Sequence, residues 1–231
     1  MLEKINSPKD LKKLNINELN ELANEIREVL LNKILKVGGH LGPNLGVIEL
    51  TIALHYVFNS PTDKIVFDVS HQTYTHKILT NRKQYFLNED LFTKVSGFST
   101  PKESEHDLFK IGHTSTSVSL ALGLAKARDL KNEKYNVISI IGDGSLSGGE
   151  AFEGLDNASL LKSNFIIIVN DNEMSISTNV GGLYDNLAKL RETNGNYQNN
   201  FFKSLGYDYL YLEEGNNINK LVEVLNKVKD I

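Results

Sequence analysis

Hydrophobic positions along the chain fall into two kinds of pattern. Leu19, Leu22, Ile26, Leu30 and Ile34 recur at helical spacing behind Asn15 and Glu18, a capping-box start, and the pattern stops near Gly38-Gly39. This predicts an amphipathic helix. "GVIELTIALHYVF", Gly46 to Phe58, is apolar nearly all round and predicts a more buried helix. Short continuous apolar runs form the second kind: "KIVFDV" (64–69), "NVISII" (136–141) and "FIIIV" (165–169). "YDYLYL" (207–212) adds a fourth predicted strand. Between and after them lie predicted helices over 114–130, 148–161, "DNLAKLRE" and "NINKLVEVLNKVKD", with "HKILTN" starting another. Strands that are continuous apolar runs and alternate with helices imply a parallel sheet buried on both faces. The expected fold class is therefore α/β, a three-layer sandwich with a mostly parallel sheet flanked by helices. No internal repeat or low-complexity linker is present, and Asn-rich "ETNGNYQNN" (192–200) is the expected mobile loop.

Bulk properties narrow the function classes. The chain has 231 residues, 40 % hydrophobic, with a net charge of only −4 and no charged block, which argues against nucleic acid as a partner. The absence of cysteine excludes disulfides and thiolate metal sites. No apolar run is long enough to span a bilayer, and "MLEKINSPKDLKKL" lacks the apolar core of a signal peptide. The expectation is a soluble cytoplasmic protein without membrane association.

The polar clusters sit at the C-terminal ends of the predicted strands, where parallel sheets bind ligands. In "IIGDGSLSGGEAFEGL", Gly142 and Gly144 bracket Asp143 ahead of a helix. Backbone amides and a helix N-terminus favour an anion, and Asp143 is placed to hold a cation bridging to it. Gly-Asp-Gly alone favours the plain strand–turn–helix connection. "FIIIVNDNEMS" raises the same choice between a solvated turn and a metal site. Asn172 ends the strand that follows Asp143 by one βαβ unit, so the two can share a sheet edge as hard oxygen donors for Mg²⁺. His40, His71 and His113 lie in glycine-rich or strand-end contexts and suggest a polar pocket, whereas His55 and His76 are assigned structural or surface roles. "ESEHD" (103–107) reads as surface or cap chemistry, with substrate contact as an outside option. No paired-histidine zinc motif, nucleophile elbow or Walker A sequence is present.

These residues also carry a resemblance. "GDG" followed about thirty residues later by "NDNEMSIS" resembles the thiamine-diphosphate motif of transketolase-type enzymes. "GGHLGPNLGVIELTIALHYVF", "DVSHQTYTHKILTNR", "ESEHDLFKIGHTSTSVSLALGLAKARD" and "IGDGSLSGGEAFEGLDNA", in that order, resemble the N-terminal domain of the 1-deoxy-D-xylulose-5-phosphate synthases, nearly continuously from the "SPKDLKKL" segment to about Val180. The resemblance implies a thiamine-diphosphate-binding fold of the diphosphate type. It implies thiamine diphosphate and Mg²⁺ as cofactors, with Asp143, Asn172 and the carbonyl of Met174 as metal ligands. Gly144, Ser145 and Asn172 would hold the diphosphate, and His71, Gly112, His113 and Thr114 would line the cofactor cleft. His40 would be the catalytic residue facing the reacting carbon. The implied substrates are pyruvate and glyceraldehyde 3-phosphate, and the products are 1-deoxyxylulose 5-phosphate and CO₂, on the route to isoprenoids, thiamine and pyridoxal.

The departures shape the remaining expectations. Residues 1–231 match a single diphosphate-binding domain, and the family's pyrimidine-binding domain, with its catalytic glutamate, and its C-terminal domain are absent. The chain ends at "NKVKDI", the connector after Arg191 is short, and "LEEGNN" (212–217) replaces a family Asp-Gly-His-Asp segment. Ser70 stands where the family has glycine, and Thr75 where it has proline. Three readings follow: part of a deoxyxylulose-phosphate synthase that is inactive alone, the N-terminal subunit of a split transketolase, or a non-catalytic thiamine-diphosphate-binding module. The first two expect a partner chain with the pyrimidine domain, and the family resemblance expects a homodimer.

Overall fold

The computed structural model describes residues 1–173 and 178–231. The longer elements, in order, are α1 (Ile16–Val37), α2 (Ile48–Val57), β1 (Lys64–Phe67), α3 (Ser117–Leu130), β2 (Val137–Gly142), α4 (Gly149–Ala158), β3 (Ile166–Asn170), α5 (Gly182–Glu192) and α6 (Ile218–Val228). All three strands are parallel, in the order β1-β2-β3. Single helical turns at Tyr74–Lys77, Asp143–Leu146 and Phe201–Ser204 fill the connections.

Side-chain alternation along the strands explains the layers. Ile65, Phe67, Ile138, Ile140, Ile166 and Ile168 face one side, where they pack with Leu50, Ala53 and Leu54 of α2 and Leu221 and Leu225 of α6. Val66 and Val137 face the other side, against Ala121 and Ala125 of α3. Ile141, Ile167 and Val169 share that side with Leu155 of α4 and Leu187 and Leu190 of α5. Both faces of the sheet are thus apolar, which is why the strands read as unbroken hydrophobic runs. The small residues of α3 serve close packing within the chain. A Cβ on Gly154 of α4 would lie 2.8 Å from Ser119 Oγ, so the two helices meet at glycine.

α1 packs outside α2. Its whole predicted stripe is buried, together with Ile48 and Ile52. The capping box forms as read: Glu18 N–H donates to Asn15 Oδ1 at 3.1 Å, and Asn15 N–H to Glu18 Oε2 at 2.8 Å. Such a cap contributes about 1 kcal/mol.

The fourth strand and the "HKILTN" helix need correction. Tyr207–Leu212 forms no ladder with β3 among the described residues. Its alternation is satisfied by packing instead: Tyr209 stacks on Phe202 at 5.6 Å, and Tyr207 Oη donates to Leu155 O at 2.6 Å. β3 therefore stands at the edge of the sheet, packed on both faces yet only half-buried because its outer edge carries no further strand among the described residues. "HKILTN" yields a single helical turn, then a kinked π segment, Ile78–Arg82, in which Asn81 has φ +65°. The end of the Asn-rich stretch makes hydrogen bonds of its own and to α5. Asn186 Nδ2 donates to Asn199 O at 2.6 Å, and buried Asn200 caps Phe201–Ser204.

Candidate functional site

The C-terminal ends of all three strands meet on one edge. Gly142 pairs in register with Asn170, so the residues that follow each, Asp143 and Asp171-Asn172, leave the sheet side by side. Asp143 is buried, 3 % exposed, and its Oδ2 accepts from Asn179 Nδ2 at 2.9 Å. Burial first, and then the carboxylate of Asp171, push its pKa above the ordinary aspartate value. Two acids crowded at a buried sheet edge are what a cation relieves. The donor set of carboxylate, amide oxygen and backbone carbonyl fits a hard ion such as Mg²⁺. Among the described residues no three His, Asp or Glu side chains converge, so water or a ligand's oxygens would complete such a shell. Met174, expected to add a carbonyl, lies outside the described residues.

A hydroxyl and amide platform adjoins Asp143. Thr114 Oγ1 donates to Ser145 Oγ at 2.6 Å, and Ser115 Oγ donates to Ser145 O at 2.7 Å. The turn before α3 is fixed by Asp68 at the end of β1, whose carboxylate accepts the backbone N–H groups of Ser115, Thr116 and Ser117 at 2.8–2.9 Å. That is a helix N-terminus satisfied by a side chain from the neighbouring strand. Gly148 is required beneath it, since a Cβ there would lie 2.0 Å from Ser115 Oγ. Gly112 is open, since a Cβ there would meet nothing within 4 Å, and His113 Nδ1 bonds to Thr114 O at 2.7 Å.

His40 and His71 form the second half of the edge. Their rings meet edge-on at 5.1 Å, and His40 also meets Phe98 at 5.5 Å. Burial, and then the nearby His40, hold the His71 pKa below the usual imidazole value. His71 Nδ1 is buried with no hydrogen-bond partner among the described residues, a polar atom left for a ligand. Asn44, fully buried, locks the two loops together. Its Nδ2 donates to His40 O at 2.6 Å and to His71 O at 2.8 Å, and its Oδ1 accepts from Tyr74 N at 2.9 Å. Ser70 links this half to the platform: its Oγ donates to Ile111 O at 3.2 Å and accepts from Ser99 N at 2.9 Å. Val69 and Ser70 both have left-handed backbone, φ +57° and +67°, a strained turn at the end of β1. A family glycine at position 70 fits that conformation, and serine holds it with two hydrogen bonds.

His40, His71, Gly112, His113, Thr114 and Asn172, on loops after or beside the strand ends, and Asp143, Gly144 and Ser145, on the helical turn after β2, therefore lie along one edge, linked through Ser70, Asn44 and Thr114. Asn44, Asp68, Asn179 and Arg191 were not legible as site residues. Asn44 and Asp68 stood inside motifs already singled out, "GPNLG" and "DVSHQ", which is the signal that was present.

"ESEHD" is only partly surface or cap chemistry: Glu105 is exposed and Ser104 Oγ accepts from His106 N, but Asp107 points inward. Asp107 is buried and accepts from His76 Nε2 at 3.0 Å and from Arg82 Nη1 and Nη2 at 2.9 and 2.8 Å. His55 Nε2 and His76 Nδ1 meet at 2.9 Å, so the structural role expected for this pair is a buried one. Lys77 pairs with Glu103 in the same cluster.

The fold and this edge define the class: an α/β domain of transketolase type. The structure aligns with transketolase from Campylobacter jejuni at a TM-score of 0.70 (23 % identity, 94 % of this chain, 36 % of that one) and with transketolase from Leishmania mexicana at 0.69 (18 % identity, 92 % and 35 %). Within that class, the chain belongs to the 1-deoxy-D-xylulose-5-phosphate synthase family, whose model matches residues 2–200. It is 56 % identical over 191 residues to 1-deoxy-D-xylulose-5-phosphate synthase of Pelotomaculum thermopropionicum, covering 83 % of this chain and 30 % of that protein. It is 46 % identical over 266 residues to the enzyme of the same name from Caldanaerobacter subterraneus, covering 99 % and 43 %. The chain thus spans less than half the length of these curated relatives.

Proposed function

We propose that this chain is the diphosphate- and metal-binding part of a 1-deoxy-D-xylulose-5-phosphate synthase, a thiamine-diphosphate-dependent transferase. The whole enzyme would join pyruvate to glyceraldehyde 3-phosphate with loss of CO₂. The observation that carries the reading is the buried Asp143 beside Asp171-Asn172 at the end of two adjacent parallel strands. Asp143 and the Asn172 amide would hold Mg²⁺, with the Met174 carbonyl as a third donor. Gly144 and Ser145 would receive the diphosphate at the helical turn that opens at Asp143. His71, Gly112, His113 and Thr114 would line the cleft above it. Thiamine diphosphate, when bound, supplies the carbon nucleophile and the electron sink that decarboxylation needs. His40, whose ring is held by His71 and Phe98, would move the proton at the substrate carbonyl. Catalysis would require the pyrimidine-binding part, from a partner chain or within a homodimer of the whole enzyme, in the cytoplasm. No described helix is long and apolar enough to cross a membrane.

Titration calorimetry with thiamine diphosphate and Mg²⁺ tests this reading. Metal-dependent binding that Asp143→Ala abolishes is the expected result, and absence of binding by the unmodified chain refutes it. Product formation from pyruvate and glyceraldehyde 3-phosphate is expected only after the pyrimidine-binding part is added. Acceptance of a ketose phosphate donor in place of pyruvate would favour the split-transketolase reading instead.

A further inference from the structure

We infer that Arg191 is the positioning residue of the metal-ligating turn. The inference rests on the reading of Asn172 as a ligand. Asn172 lies between two acids, Asp171 and Glu173, and one guanidinium takes both. Arg191, at the C-terminal end of α5, pairs through Nη1 with Asp171 Oδ2 and through Nε with Glu173 Oε1 at 2.7 Å. Glu173 N–H donates to Asp171 Oδ1 at 3.2 Å, closing the turn from inside. Glu173 has φ +62°, a left-handed conformation that a residue with a Cβ adopts only when its surroundings impose it.

The arrangement is a brace. A planar fork can hold two carboxylates at fixed separation, and this fixes the backbone on both sides of Asn172. A lysine ammonium is a point charge and holds only one of them. Arg191 also occupies the Asp171 carboxylate, which faces Asp143 across the register. Asp171 is thereby tied down as part of the turn, and Asn172 and Asp143 are left to the ion. Groups that orient metal ligands without touching the metal change affinity by about 10–100-fold when removed. An ordinary surface ion pair would change only stability, and little of that.

The test measures Mn²⁺ in the presence of thiamine diphosphate, with free Mn²⁺ read by electron paramagnetic resonance, alongside thermal melting of the metal-free protein. The chain is compared with Arg191→Gln, Arg191→Lys and Asp143→Ala. The expected result is Mn²⁺ binding by the unmodified chain, loss in Asp143→Ala, and binding weakened about 10–100-fold in Arg191→Gln while melting moves little. Arg191→Lys recovers part of the affinity at most, and Glu173→Gln weakens binding less than Arg191→Gln does. Unchanged affinity in Arg191→Gln overturns the inference. So does an affinity loss that tracks a large melting loss and that lysine fully restores, because that assigns Arg191 a purely structural role. If the unmodified chain binds no Mn²⁺, or Asp143→Ala binds as well as it does, the metal-site reading itself fails and the brace falls with it.

Discussion

Replacing Asp107 by alanine is the sharpest perturbation available to this fold. The side chain is completely buried and accepts four hydrogen bonds, from His76 Nε2, both terminal nitrogens of Arg82 and Thr100 N. It shares its cluster with one other acid, Glu103, and with the two buried cations Lys77 and Arg82. Charges are therefore balanced two against two. Asp107→Ala leaves one cation uncompensated and strips a guanidinium of its bidentate partner. Breaking a buried pair in this way costs about 3–5 kcal/mol. A domain holds only about 5–15 kcal/mol in all, so a melting point lower by roughly 6–20 °C follows for a chain of this size. The effect reaches the site as well. Asp107 and Glu103 accept Thr100 N and Ser96 N, the two ends of the loop that sets Phe98 against His40. Urea unfolding followed by circular dichroism measures the cost, and the double variant Asp107→Ala/Arg82→Met should fall well short of additive. A loss under about 1 kcal/mol in Asp107→Ala would mean that the cluster is wetted and screened, as an exposed pair is, and the reasoning from burial would be wrong.

The same cluster sets a pH dependence. Burial holds both His55 and His76 below the free imidazole value, so the unfolded chain binds more protons as pH falls through about 6.5, and stability is lost toward acid. Unfolding free energies from urea titrations at pH 7.5, 6.5 and 5.5 should fall by about 0.3 kcal/mol over the first step and about 1 kcal/mol over the second for each imidazole kept neutral, and a flat profile refutes the buried neutral pair. Asn44→Asp should destabilise by about 2–4 kcal/mol in the same assay, because a carboxylate cannot donate to the carbonyls of His40 and His71 and loses both bonds. Stability equal to the unmodified chain would remove Asn44 as the lock between the two loops.

Much of the fold could be read from the sequence because two periodicities carry it. The α1 stripe at 3.6 spacing and the unbroken apolar runs of β1, β2 and β3 follow directly from which faces are buried. Tyr207–Leu212 shows where that logic stops. Alternation reports which side chains need a dry face, and Tyr209 on Phe202 supplies one without any ladder. Hydrogen bonding to a neighbouring edge is a tertiary matter that no local pattern encodes.

The site divides along the same line. Asp143 and Asn172 were legible because a parallel sheet must bring consecutive strand ends together, and topology alone places them. Arg191 and Asp107 were not, because their ionisable partners lie about 18 to 31 positions away, and a charge in sequence does not say which charge it will meet. Asp107 even sat in a segment of mixed charge that reads as solvated surface. Yet the two unread residues have comparable parts in the geometry. Asp107 anchors the loop that sets Phe98 beside His40, and Arg191 grips the turn that carries Asn172. Each braces a side chain at the sheet edge from one layer further out. The strand-end residues of the candidate site are placed by the backbone topology, whereas Asp107 and Arg191 act through tertiary ion pairs, which is why a motif finds the first and misses the second.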